Sequence, residues 1–212
     1  MKTTYARLRK TLGQLAYEKR YGVRTAELIE LDKLGIAGEG RGYYVAASWR
    51  TLRRTLSRKQ ITERDVFIDF GSGMGRMVLE AARLPFGRVI GVELSTELHE
   101  IAQDNVRRTR QRLQCRDIQL VRTDVLDYEI PDDVSVVFFN NPFQGKVFAE
   151  VIERLVATLD RNPRQLKIIY YNPVEERVIL GTGRATLARE LVHARRRTAG
   201  SPFGLTKVFV LR

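Results

Sequence analysis

The sequence predicts an α/β protein: a mostly parallel sheet with helices on both faces and an antiparallel hairpin closing one edge. Three observations carry this. Short apolar runs rich in β-branched and aromatic residues recur from Asp65 onward, as strands do. Helix-period segments separate most of these runs, which is the pattern of a sheet covered on both faces. The last two runs are joined by about ten residues, too few for a helical crossover, so they pair as a hairpin.

Residues 1–60 read as a basic, helical N-terminal extension. Leu8, Leu12, Leu15 and Tyr17 form a partial helical stripe that Gly22 breaks. Gly35, Gly38, Gly40 and Gly42 make a flexible connection. Val45–Leu56 reads as a helix with Val45, Trp49, Leu52 and Leu56 on one face, Trp49 being a core residue. Tyr43 and Tyr44 precede it and suit either a lid or the core.

From residue 61 to 212 the chain reads as one catalytic domain. Val66–Phe70 is the first strand and Arg76–Leu84 the helix after it. Arg88–Val92, Ile118–Arg122, Val134–Phe139 and Leu166–Tyr171 are the next four strands, with helices over Glu97–Arg112 and Val147–Leu159. In the latter helix Val147, Val151, Leu155 and Leu159 fall four apart on one face. Arg189–Arg195 and Thr206–Leu211 form the closing hairpin, joined through Gly200-Ser201-Pro202 and Gly204.

Composition bounds the function. The chain has 212 residues, 43% hydrophobic and 29% charged, which suits one globular domain. No apolar run approaches the roughly 18 residues of a membrane span. Met1–Arg20 is basic without an apolar segment, so it is not a secretory signal; an Arg-rich transit peptide and a packed helix both fit it. A lone cysteine, Cys115, cannot close an internal disulfide, so a cytoplasmic location is expected. The net charge is +12, and residues 1–60 carry 14 Lys/Arg against 5 Asp/Glu. A basic flank on a near-neutral body suggests an acidic protein or nucleic acid as partner, or simply a solvated face.

The chemistry concentrates at strand tips. Val66–Phe70 runs into Gly71-Ser72-Gly73-Met74-Gly75-Arg76. Glycines there permit a sharp turn and close ligand approach, and the next helix aims its free N–H groups at that space. Asp69, just before the turn, can accept from an ammonium group. Glu93 ends the second strand, 22 positions after Gly71 and followed by Leu94, where an acidic residue holds both ribose hydroxyls. Asp124 ends the third strand; it can accept from an adenine amino group, with the Val125 N–H beside it. Singly, these are a tight turn, a helix cap and a loop residue. In this order, each at a carboxyl strand end, they predict an adenosine cofactor.

The fourth strand ends Phe138-Phe139-Asn140-Asn141-Pro142-Phe143. Two carboxamides supply donors and acceptors for an amine, and Phe143 can wall the acceptor. A strand-ending turn explains Asn and Pro equally well in isolation. Tyr170-Tyr171-Asn172-Pro173 repeats the pattern on the fifth strand, where a turn is the simpler reading.

From Asp65 to Arg212 these residues resemble the class I, Rossmann-like methyltransferases that use S-adenosylmethionine (SAM). The resemblance implies a seven-stranded sheet with its last strand antiparallel. It implies Asp69 and Gly71 near the methionine amino group, Ser72, Gly73 and Gly75 along the cofactor, Glu93 and Leu94 at the ribose, and Asp124 and Val125 at the adenine. Asn140 and the lid residue Tyr44 complete the cofactor set, with Asn140, Asn141 and Phe143 as the acceptor side. Methyl transfer is an in-line displacement that needs no metal; the protein aligns a lone pair and excludes water.

Phe67–Gly73, Gly91-Val92-Glu93 and Ser135–Asn141 are also similar to the non-SET, nucleosome-core histone-lysine methyltransferases, whose upstream Gly-Glu loop Gly38-Glu39 loosely matches. Methyltransferases acting on adenine or glutamine amino groups carry Asn/Asp-Pro-Pro-Tyr/Phe at this place, where Asn141 stands for the first proline. Both resemblances imply a nitrogen acceptor, in the first a protein lysine. Nucleic acid or a small molecule is the alternative acceptor. A nicotinamide oxidoreductase would share the glycines and Glu93 but wants glycine at Arg76. A basic module that docks nucleic acid without chemistry is the third class. Neither histidine, His99 or His193, lies at a predicted active tip.

Overall fold

The computed structural model describes residues 15–26, 29–30, 43–44, 46–192 and 204–212. The first described element is helix α1 over residues 15–21, which ends where Gly22 takes a φ of 71°. Strand β1 (Ile29–Glu30) pairs antiparallel with β2 (Tyr43–Tyr44). Helix α2 covers Thr51–Thr55. The predicted helix from Val45 is therefore too long. Ala47 gives its carbonyl to Arg76 Nη1 at 2.9 Å, and a turn from Thr51 N to Ser48 O replaces the first helical bonds.

The remaining elements are β3 (Val66–Phe70), α3 (Arg76–Ala82), β4 (Arg88–Glu93), α4 (Thr96–Arg108), β5 (Asp117–Arg122) and β6 (Val134–Phe139). They continue through α5 (Gly145–Arg161), β7 (Leu166–Tyr171), α6 (Glu176–Gly181), β8 (Ala185–Val192) and β9 (Leu205–Leu211). Helix α4 stops four residues before the predicted Arg112. The Arg110 N–H is captured instead by the Tyr21 carbonyl at 2.8 Å. Helix α6 is too short to show a period in the sequence. The predicted end of the sixth large strand, Arg195, and the Gly200–Pro202 connection lie outside the described residues.

Seven strands form one sheet in the order β5-β4-β3-β6-β7-β9-β8. The first five pair in parallel, and β9 runs antiparallel to both β7 and β8. The expected terminal hairpin is present, with β9 inserted inside and β8 at the edge. Beyond β3 the chain winds outward through β4 and β5, then returns to lay β6 on the other side of β3. Such a reversal opens a crevice at the carboxyl ends of the two strands, the usual ligand position in an open α/β sheet.

Alternation along the strands divides the core in two. Ile68, Phe70, Val137, Phe139 and Ile168 pack with α5 through Phe148, Val151, Ile152 and Leu155. Phe67, Val89, Phe138, Ile169 and Val208 face Leu52 of α2 and Val78 and Ala81 of α3. All five residues of β3 are buried, as a central parallel strand requires. Among the described residues, no helix is long and apolar enough to cross a membrane.

Candidate active site

The crevice is built from two loops that meet. After β3, Gly71 takes a φ of 70°, and a Cβ placed on it would lie 2.3 Å from Pro142 Cβ. Glycine at 71 is thus required twice, by the left-handed backbone and by the approach of the loop after β6. The register sets this contact, because Asp69 lies opposite Phe138 and Phe70 opposite Phe139. Gly71 and Ser72 donate their N–H groups to the Val92 carbonyl at 2.9 and 3.0 Å, tying the turn to the tip of β4. Gly75, also left-handed at φ 79°, caps α3.

The acidic rim is ordered by the same backbone. Glu93 accepts from Gly73 N at 2.7 Å and from Ser95 N at 2.9 Å, which fixes its carboxylate beside the glycine turn. Ser95, rather than Glu93, caps α4 through a bond from Leu98 N. Asp69 is only 3% exposed. Burial, and then repulsion from Glu93, hold its pKa well above the ordinary carboxylate range. Such a group favours a cationic neighbour.

Asp124 stands after β5 and accepts from Leu126 N at 2.9 Å, so part of its role is to shape its own turn. Val125 is buried beside it. Leu94, just after β4, is an apolar side chain 39% exposed. His99 sits one turn into α4, and burial, followed by the charge of Arg122, lowers its pKa. His193 and Gly38-Glu39 lie outside the described residues. Tyr44 is in β2 opposite Ile29, and its predicted lid role rests on a side chain outside the described residues.

On the acceptor side, Asn141 has a left-handed φ of 49°, a conformation that Asn tolerates better than most residues. Its Oδ1 is buried and finds no hydrogen-bond partner. Ser72 Oγ, on the facing loop, is likewise buried and unpartnered. Ser72 Oγ sits against Gly91 of β4, 2.9 Å from where a Cβ on that glycine would lie. Phe143 is buried against Phe139 and Phe148, with ring centroids 6.1 and 6.2 Å away. It braces the loop from below. Asn172 is left-handed too, and its Oδ1 accepts from Gly204 N at 2.8 Å, which joins β7 to the start of β9 as a turn residue does.

Sequence reasoning missed three residues that hold these loops. Arg76 opens α3 and is 2% exposed. Its Nε donates to Thr25 Oγ1 at 2.9 Å, its Nη2 lies 3.4 Å from Glu18 Oε1, and its guanidinium sits 4.9 Å from the Trp49 ring centroid. Asn105 of α4 joins Met74 O, Arg24 O and Arg24 N at 2.9, 2.7 and 2.7 Å. Arg154 of α5 donates to the carbonyls of Val125, Leu126 and Tyr128. The signal for Arg76 was its position next to the glycines; nothing local marked the other two, since their partners are far away in the chain.

A family model described as histone methylation protein DOT1 matches residues 43–175. A curated relative, the probable ribosomal RNA small subunit methyltransferase A of Methanopyrus kandleri, is 25% identical over 135 residues, covering 63% of this chain and 42% of the relative. The chain thus spans about two fifths of that relative's length. Among solved structures, a precorrin 8W decarboxylase of Methanobacterium thermoautotrophicum superposes with a TM-score of 0.55 at 19% identity, covering 80% of this chain and 91% of that one. An rRNA methylase of Streptococcus thermophilus gives 0.52 at 13% identity, covering 80% and 99%. At these identities the two likenesses concern the fold.

Proposed function

The chain belongs to the family of the histone methylation protein DOT1 and is a SAM-dependent methyltransferase, and we propose that it methylates a nitrogen, that of a protein lysine side chain. The observation that supports this best is the meeting of the glycine turn and the Asn140-Asn141-Pro142 turn, the latter carrying a buried, unpartnered Asn141 Oδ1. SAM supplies an electrophilic methyl on a sulfonium when bound. The residues present fit it. Asp69 offers a buried carboxylate to a cationic amino acid portion, and Glu93 and Asp124 present acceptors at consecutive strand tips.

In this reading Asn140 and Asn141 hold an amine hydrogen and aim the nitrogen. A carboxamide oxygen accepts but does not take a proton at neutral pH. The amine therefore arrives neutral, having lost its proton to solvent, and the buried crevice keeps water from the methyl. The acceptor set extends from Asn140 and Asn141 to the braced ring of Phe143. Residues 1–60 serve as a lid on the catalytic domain rather than a separate unit. The packing of residues 15–25 and 46–49 on α3 and α4 supports that.

A second reading, a nucleic-acid base amine, draws on the curated relative's name. Labelled methyl transfer from SAM into cell lysate, followed by identification of the labelled molecules, separates the two. Asn141→Ala is expected to lower turnover about a hundredfold, the cost of a misaligned acceptor, with S-adenosylhomocysteine binding retained. Full activity in both Asn140→Ala and Asn141→Ala would contradict the acceptor assignment.

A further inference from the structure

A shallow groove of about 510 Å³ runs between α2 and the edge strand β8. Arg53, Arg54 and Arg189 line it, over a floor that includes Leu56, Leu191 and Val192. All three arginines are exposed. Among the described residues none of the three forms an ion pair and no carboxylate lines the groove; Arg53 acts only at longer range on Glu80, which Arg83 already pairs. The neighbouring Glu190 is turned to Lys207, 3.4 Å away. The contrast with α4 is direct: there Arg107 and Arg108 are both matched to Asp104.

The groove leads toward the active edge. Arg54 and Leu191 also line a small depression with Arg50 and Thr206. Thr206 lies between Leu191 on one side and Tyr171 on the other, and Tyr170 is opposite Phe139, the residue before Asn140. The inner end of the groove is therefore three strand spacings from the acceptor loop, about 15 Å.

We propose that this arginine groove binds the phosphate backbone of a single-stranded nucleic acid. Guanidinium forks suit phosphate oxygens, and unmatched positive charge gains from releasing the counterions of a polyanion. An acidic peptide fits less well, because peptide recognition depends on side chains anchored in pockets. The groove is open along its length rather than enclosed around an anchor point. Charges fixed on one helix and one strand, over an open floor, match a strand laid along them. This proposal goes beyond the methyl-transfer reading and stands whichever nitrogen is methylated.

The test is fluorescence anisotropy of a labelled single-stranded RNA oligonucleotide titrated with the full chain, without SAM, across a salt series. The variant Arg53→Gln/Arg54→Gln/Arg189→Gln is expected to bind at least tenfold more weakly. Its log–log salt slope should be shallower by about 2, the loss of three phosphate contacts on a single strand. Arg107→Gln/Arg108→Gln should bind as the parent does. Should the triple variant unfold, Arg189→Gln alone is expected to reduce the slope by about 0.7. Unchanged affinity and slope in the groove variants would overturn the proposal. So would polyglutamate that binds the parent as tightly as the RNA and is lost in the same variants. Failure to bind S-adenosylhomocysteine would bear on the methyl-transfer reading and leave this result unaffected.

Discussion

Asp69 shows most clearly how single residues prepare this site. Its carboxyl is buried next to Glu93, and both circumstances raise its pKa. A raised folded-state value means that the native protein holds a proton the unfolded chain would release. The stability contributed by that proton is complete below the ordinary aspartate range and is lost as pH rises through the raised value. A cationic ligand reverses the balance by favouring the carboxylate. Binding of SAM is thus expected to release a proton at pH values between the ordinary aspartate range and the raised one. Calorimetry in buffers of different ionisation heat reads this directly, and Asp69→Asn should abolish the release. Binding with no proton release across that window would contradict the assignment. The placement of Asp69 and Glu93 at the carboxyl ends of β3 and β4 was legible because each precedes a turn at a countable spacing. That Glu93 is already bonded to the N–H groups of Gly73 and Ser95 was not legible, since both bonds depend on how the loops fold back.

Elements that carry a strong period were legible to within a few residues. Strands β3, β6 and β7 coincide with their predicted spans, because central strands buried on both faces leave unbroken apolar runs. Strand β8 was read four residues late. Lying at the edge, it exposes most of its side chains and shifts register between Leu187 and Arg189, so its hydrophobic pattern is faint. Helix α2 was read too long for a different reason: a tertiary partner, Arg76, claims the Ala47 carbonyl. That arginine clasps α1, the Thr25 segment and Trp49 to the first turn of α3, and Trp49 is in the core as expected. Arg76→Ala is expected to destabilise the fold by about 3–5 kcal/mol, because it leaves the Glu18 carboxylate buried without its cation. Adding Glu18→Gln should recover part of that loss. Denaturant unfolding measures both, and a single-variant loss under about 1 kcal/mol would mean the clasp acts as a surface pair does.

At the scale of the whole molecule, one topological fact places everything else. The reversal of strand order at β3 and β6 brings the glycine turn and the paired asparagines to the same opening, although nearly 70 residues separate them in the chain. Alternating strands and helices made the fold class readable, and the short final connection made the antiparallel edge readable. The charge asymmetry was visible too, but where arginines gather in space was not, because Arg53 and Arg189 meet only after β8 takes the outer edge. The central claim is that the crevice between β3 and β6 accepts an adenosyl amino acid. Titration calorimetry of the full chain with S-adenosylhomocysteine and, separately, with NADH tests it most directly. Saturable heat from the homocysteine compound and none from NADH is the expected result; heat from NADH with silence from the homocysteine compound would contradict the account.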